Sequence, residues 1–309
     1  MATDKMSEVY KDRINRVVDY IQANLDTPLS VNRLSEVACF SEFHFNRIFK
    51  KAMGEPVYKF IRRLRLEKSA ELLLTKPETS ITEIALICGF ATSSSFAKSF
   101  KNHFGMSATE WRNNSNALFD KESKPIQIEQ GQISIIKGSP VWTFNQEGSI
   151  RQVVIENFLP FNVAYIRNVG PYEGDDTLFD SLNAQLFQWA APRGYINDDT
   201  FTLNIYHDNP EITEKQKLRV MVAIPVEDTV CQSGAVGVSK MTGGKYGVCR
   251  FLLKKNEFME AWDWMFSAWL NNSGYERDDR EAFERCLRDN YINGERFFDV
   301  DICIPVKPK

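Results

Sequence analysis

Apolar positions in the first hundred residues recur at helical spacing and stop at capping residues. Val9, Ile14, Val17, Val18, Ile21 and Leu25 mark one face of a helix that Pro28 ends. Leu34, Val37 and Ala38 stripe a short helix. Phe45, Ile48, Phe49 and Met53 stripe the next, with Ser41 placed as its N-cap and Gly54 at its end. Pro56 fits the first turn of a longer helix running to about Thr75. From Ser80 the pattern starts again: Ile81, Ile84 and Ala85 lead through Gly89 to a helix striped by Phe96, Phe100 and Phe104 and ended by Gly105. Phe45, Phe49, Met53 and Gly54 thus return as Phe96, Phe100, Phe104 and Gly105 at a constant offset of 51. A short helix, a tight turn and a second helix, written twice, predict a tandem helix-turn-helix.

Residues 113–125 (NNSNALFDKESKP) are polar, lack periodicity and read as a linker. Beyond them the pattern turns to strands, beginning with Ile126-Gln127-Ile128 and Ile133–Ile136 and continuing with Val153-Val154-Ile155. A second duplication follows with a period near 80. Trp189, Gly194-Tyr195 and Ile224-Pro225-Val226 return as Trp269, Gly274-Tyr275 and Ile304-Pro305-Val306. Helical stripes at Leu178, Phe179, Leu182 and Leu186, and at Phe258, Trp262, Phe266 and Trp269, complete the two copies. The expected architecture is multidomain. An all-α tandem helix-turn-helix domain occupies 1–112, a linker 113–125, and a duplicated, pseudo-two-fold α+β domain with a cleft between its halves 126–309.

Composition narrows the function classes. The 309 residues exceed one ordinary core, and 43% hydrophobic with 26% charged residues is a globular balance. No apolar run is long enough to span a bilayer, and residues 1–30 show no signal-peptide core, so a cytoplasmic protein without a membrane partner is expected. The six cysteines form no C-x-x-C pair, and the three histidines are too scattered for a His-based metal site. No cofactor is expected. Residues 1–113 carry 17 Lys+Arg against 13 Asp+Glu, a balance of +4, leaving 21 against 28, or −7, for the rest. A basic front and an acidic back suit different partners.

Tandem helix-turn-helix units imply duplex DNA, with the second helix of each unit in a major groove. In the first unit the apolar stripe leaves Glu42, Phe43, Asn46 and Arg47 outward, with Lys50 and Lys51 towards the backbone. Arg47 can bond guanine bidentately, Asn46 adenine, and Phe43 can meet a thymine methyl. The second unit presents Ser93, Ser94, Ala97 and Lys98, with Lys101 beyond; these short side chains suit positioning more than reading. The connecting helix, roughly 30 Å long at 1.5 Å per residue, nearly matches the roughly 34 Å turn of B-DNA. A monomer can therefore reach two successive grooves. The run Arg62, Arg63, Arg65 and Lys68 on that helix suits phosphates, or equally a solvated helix face.

Residues 9–113 resemble the AraC/XylS DNA-binding domain. The stretch from Gly54 to Leu66 (GEPVYKFIRRLRL) is similar to that family's connecting helix, and Ile84-Ala85, Cys88-Gly89-Phe90 and Phe96–Lys101 to its second unit. Two departures stand out: Cys39 where a turn glycine is usual, and Ala108 where a proline usually opens the last helix, with Ser107 still able to cap. Residues 150–306 resemble the GyrI-like effector-binding domain through Val163–Tyr172, Lys217-Leu218-Arg219, Gly243–Tyr246, Phe283–Asp289 and Ile304-Pro305-Val306. Together these resemblances imply a transcription regulator that binds double-stranded DNA, works with RNA polymerase and answers to a small-molecule effector. They imply further that the effector is aromatic, amphipathic and often cationic.

The resemblance places the segment of Glu284 along the cleft, where a buried carboxylate favours a cation. The competing assignment is an ion pair of Glu284 with Arg285, Arg288 or a neighbouring strand. Tyr165, Tyr206, Trp262 and Trp142 are the aromatic candidates for cation–π contact. No G-x-S-x-G, H-E-x-x-H or phosphate loop is present, so no enzyme is expected. Two alternatives stay open. One is the hydrolysis of a reactive small molecule implied for some GyrI-like domains, with Glu284 as general base. The other is a back domain that binds a protein partner.

Overall fold

The structure, a computed structural model, describes residues 8–113, 132–136, 139–143, 153–198, 200–292 and 294–309. It divides into two compact units, one helical and one built on a sheet. The predicted linker beyond Asn113 and the predicted strand at Ile126–Ile128 lie outside the described residues.

The helical unit follows the apolar stripes closely. Helix α1 (Glu8–Ala23) buries Ile14, Val17, Val18 and Ile21, and α2 (Val31–Val37) starts at a Ser30 cap whose side chain accepts from the Arg33 amide. Helix α3 (Glu42–Met53) is capped by Ser41 and closed by Gly54 at φ 72°, while α4 (Val57–Thr75) takes Pro56 as its N-cap. In the second copy, α5 (Ile81–Ile87) starts at Ser80 and α6 (Ser93–Phe104) runs from Thr92 to Gly105 at φ 78°. Helix α7 (Ala108–Asn113) opens on a capping box. The Ser107 hydroxyl accepts from the Glu110 amide at 3.2 Å, and the Glu110 carboxylate accepts from the Ser107 amide at 2.7 Å. The cap therefore stands in for the missing proline. Phe96, Phe100 and Trp111 close the core of the second copy, with the Trp111 indole N–H donating to the Ala70 carbonyl at 3.2 Å.

The sheet unit contains, among the described residues, eleven strands: β1 (Gln132–Ile136), β2 (Ser139–Thr143), β3 (Val154–Phe158), β4 (Phe161–Val169), β5 (Thr202–Tyr206), β6 (Arg219–Val226), β7 (Gly237–Met241), β8 (Gly244–Leu253), β9 (Tyr275–Arg277), β10 (Ala282–Ile292) and β11 (Glu295–Pro308). Their order is β1-β2-β8-β11-β10-β5-β6-β4-β7, with β3 on β8 and β9 on β11. Helix α8 (Asp176–Ala190) follows β4. Helix α9 (Phe258–Asp263) follows β8 and continues through a π-helical turn (Trp264–Trp269) into α10 (Leu270–Asn272).

The period of 80 is written into the strand register. Leu203 pairs with Ala223 and Phe283 with Cys303; Asn204 pairs with Val222 and Glu284 with Ile302. Each pair is the other shifted by 80 in both members. At the centre β5 and β10 run antiparallel with Asn204 opposite Glu284, so the pseudo-two-fold axis passes through that pair. The halves also exchange strands. Strand β3 pairs with β8, not with its hairpin partner β4, and β7 pairs with β4. The two hairpin turns meet at Gly243 (φ 64°), where a Cβ would lie 2.6 Å from the Pro160 nitrogen and 2.7 Å from the Phe158 carbonyl.

Alternation along the strands separates two faces. One face buries Val163, Tyr165, Leu203, Ile205, Met221, Tyr246, Val248 and Phe283 together. The other carries the helices. There α8 packs on β4 and β6, and the α9 segment seals Cys249, Phe251, Val300, Ile302 and Ile304 under Ala261 and Met265. The central strands β5 and β10 run between these two helix-covered halves and carry Asn204 and Glu284 on the helix-bearing face.

Candidate functional site

On the helical unit, α3 and α6 present the surfaces expected of recognition helices. Phe43, Asn46, Arg47, Lys50 and Lys51 are exposed, as are Ser93, Ser94, Lys98 and Lys101. Phe43 is 81% exposed, unusual for a phenylalanine with nothing to cover it. Arg47 is held by its neighbour: its guanidinium donates to His44 Nδ1 at 3.2 Å, and His44 Nε2 lies 3.3 Å from the Tyr10 hydroxyl. The residues behind Arg47 carry no periodic signal in the sequence. The Asn46 amide donates to the Glu42 carbonyl at 3.0 Å, one turn back on its own helix.

The cationic run on α4 does not form one face. Arg62 is exposed, but Arg63 is buried and belongs to the scaffold. Its guanidinium donates to Glu55 at 2.7 Å and to Glu67 at 3.0 Å. Burial opposes its charge, but the Glu67 and Glu55 carboxylates more than offset that and raise its pKa. Arg65 is likewise occupied, donating to the Leu25 carbonyl at 2.9 Å and the Thr27 carbonyl at 2.6 Å. Arg63 is therefore corrected from phosphate ligand to structural ion pair. Consecutive helical residues lie 100° apart, so Arg62 and Arg63 cannot share a face.

In the sheet unit Glu284 is 2% exposed. Its Oε2 accepts from Asn204 Nδ2 and from the Tyr206 hydroxyl, both at 2.9 Å, and its Oε1 accepts from the Trp262 indole N–H at 2.8 Å. All three donors are neutral. Burial raises the Glu284 carboxyl above its usual range, against the three hydrogen bonds that favour the carboxylate. Burial, and then the Glu284 charge, push the Tyr206 phenol well above its own. An aromatic wall continues from these donors. The Tyr206 ring meets Trp262 edge-on with centroids 5.7 Å apart, Trp262 stacks on Phe266 at 5.7 Å, and Tyr172 lies 5.3 Å from Tyr206.

The alternative ion pair of Glu284 with Arg285 is not formed. Adjacent residues of β10 point to opposite faces. Arg285 donates across the other face to Asp301 at 2.7 Å and reaches Glu156 at 3.3 Å, while Arg250 forks onto Asp299 at 2.8 and 2.7 Å beside it. The Arg288 side chain lies outside the described residues.

Of the predicted aromatics, Tyr206 and Trp262 join Glu284. Tyr165 does not: it is wholly buried on the opposite face, with the Arg167 guanidinium 4.9 Å over its ring. The run Val163-Ala164-Tyr165-Ile166 is buried on both faces, so alternation was not readable there. Trp142 lies on β2, where side chains are outside the described residues. Sequence reasoning missed Asn204, Tyr172 and Phe266. Asn204 was within reach, because 284 less the period of 80 is 204.

Residues 151–307 match the GyrI-like small molecule binding domain. The chain belongs to the GyrI-like family. Residues 34–114 match a helix-turn-helix domain, so a GyrI-like domain here follows a helix-turn-helix domain on one chain. Over 111 residues the chain is 33% identical to an uncharacterized HTH-type transcriptional regulator of Staphylococcus aureus (strain COL); the match covers 36% of this chain and 15% of that relative's length. The crystal structure of the DNA-binding domain of AdpA, a global transcriptional factor in complex with a target DNA, is 25% identical. It covers 34% of this chain and 95% of that one, with a TM-score of 0.33. The EcmrR C-terminal domain is 14% identical, covering 52% of this GyrI-like chain and all of its own, with a TM-score of 0.43. Among the described residues no helix is long and apolar enough to cross a membrane, and no cluster of His, Cys, Asp and Glu could hold a metal ion.

Proposed function

We propose that this chain is a transcription regulator that reads duplex DNA through its tandem helix-turn-helix units and senses an aromatic cation through its GyrI-like domain. The observation that carries the sensing half is the state of Glu284. It is a buried carboxylate held by three neutral donors, with aromatic rings beside it and no cation on it among the described residues. A charge kept in that setting gains most from a ligand that brings the opposite one. Tyr206 and Trp262 add cation–π attraction and shape. Exposed Arg47, Asn46 and Phe43 read bases, Lys50, Lys51, Arg62 and Lys101 meet phosphates, and α6 seats the second unit with Lys98 as its base-reaching cation. Contact with RNA polymerase follows from the regulator role.

Ligand binding shifts the DNA-competent population only as far as its affinity differs between the two states. The test is a thermal-shift and calorimetric screen of planar aromatic cations and their neutral isosteres on the full chain. Binding of the cations, weakened in Glu284→Gln while neutral analogues are spared, is the expected result. Equal binding of both, or no effect of the substitution, sinks the sensing role of Glu284.

A further inference from the structure

We infer that Asn204 is a specificity-determining residue of the GyrI-like domain, and that it selects cations carrying N–H donors (protonated amines, amidinium and guanidinium groups) over quaternary ammonium groups. The inference rests on the reading of Glu284 as the cation-binding carboxylate.

The pseudo-two-fold axis passes through the Asn204–Glu284 pair. Two positions equivalent by duplication therefore lie side by side at the centre of the domain, and they give one polar floor, not two separate sites. One position supplies a carboxylate and the other an amide, so the floor holds a single negative charge.

The amide is only half used. Asn204 Nδ2 donates to Glu284 Oε2 at 2.9 Å and approaches Cys286 Sγ at 3.5 Å. Asn204 Oδ1 is buried and has no hydrogen-bond partner among the described residues. Its orientation is fixed by its neighbour, because turning the amide over would set its oxygen against the carboxylate. A buried amide oxygen without a donor is costly and calls for one. The carboxylate also has capacity left. It can accept about four hydrogen bonds, and among the described residues three are made, with Oε1 taking only the Trp262 indole.

The pair thus offers one negative charge and two unmet acceptor capacities, with the rings of Tyr206, Trp262 and Phe266 beside the carboxylate. A quaternary ammonium matches the charge and meets neither acceptor. An amidinium, or a primary or secondary ammonium on an aromatic body, matches all three. Buried polar groups left unpaired discriminate strongly against the ligand that lacks the donor.

Two probes of equal charge and similar ring decide the matter: benzamidinium and phenyltrimethylammonium, titrated into the full chain by calorimetry and ligand-observed NMR. The wild type should bind benzamidinium at least tenfold tighter, with one site per chain. Asn204→Leu, close in shape but without the amide, should cut that preference below threefold by weakening benzamidinium and leaving the quaternary probe near its wild-type affinity. Asn204→Ala, measured beside it, guards against a folding defect in the leucine variant, and the wild-type comparison needs no variant at all. Equal binding of the two probes by the wild type, as a resident water on Oδ1 would produce, overturns the proposal. So does a preference that survives both substitutions. Failure of the underlying reading looks different: neither probe binds, or Glu284→Gln leaves both affinities unchanged.

Discussion

Cys39 holds a φ of 50° at the turn between α2 and α3. That left-handed conformation costs an L side chain about 1–2 kcal/mol. Replacing Cys39 by glycine is expected to raise the unfolding free energy by about 1 kcal/mol, less what a more flexible unfolded chain takes back, as read by urea denaturation. Gly89 turns the second copy at φ 79°, and a Cβ there would lie 2.6 Å from the Leu25 carbonyl and 3.0 Å from the Arg65 guanidinium. Gly89→Ala should therefore destabilise the helical unit, the opposite sign to Cys39→Gly in the same assay. Glu284 makes a prediction in pH. Burial raises its carboxyl in the folded state, so the folded protein holds the proton more tightly than the unfolded chain. Stability from this group is full below the ordinary carboxylate range and falls as pH rises through the folded pKa. Relative to wild type, Glu284→Gln should gain in melting temperature across that window and level off above it. A difference that is flat with pH would show that Glu284 does not titrate there. Glu284 became a candidate through the resemblance to the GyrI-like domain, which implies that its segment lies along the cleft. Tyr206 and Trp262 were candidates too and Asn204 lay one period away, but the hydrogen bonds that join all three to Glu284 were not legible, since register and a helix crossing set them.

Helix α4 shows how an element can hide its chemistry. It buries residues around most of its circumference, from Val57 and Phe60 through Arg63, Leu66 and Glu67 to Leu73. A helix packed on several sides has no single polar stripe to read, so its arginines look alike in sequence and differ in place. Arg63→Ala would remove the Arg63 ion pairs from the buried Glu67 and the half-buried Glu55 and should cost about 3–5 kcal/mol of stability, leaving the salt dependence of DNA binding unchanged in protein that still folds. Arg62→Ala should do the reverse: near-normal melting, but a flatter dependence of affinity on salt. The apolar stripe of α3 was legible to the residue and that of α6 nearly so, with Phe104 only partly buried, because each helix buries one face and is capped at both ends. The double-sided burial of β4 was not, and Tyr165 fell on the wrong side of the sheet for that reason.

At the scale of the whole chain the proposed reader and the proposed sensor make separable forecasts. Arg47→Ala should weaken a specific site by about 1–3 kcal/mol and blur the preference at one base pair. Lys50→Ala should weaken all sequences alike, and quantitative footprinting over several salt concentrations distinguishes the two. The duplication in the sheet unit was legible as a period of 80, but the exchange of β3 and β7 between its halves was not, because pairing partners far apart in sequence leave no periodic trace. That exchange bears on how the domain came to be asymmetric. Two separate copies of one half, trading strands in the same way, would make a homodimer, and on its axis every residue would face itself: glutamate against glutamate, or asparagine against asparagine. Two carboxylates so placed would share a proton, and two amides would hold no charge. Only after the halves are joined in one polypeptide can the two central positions drift apart, one towards Glu284 and the other towards Asn204.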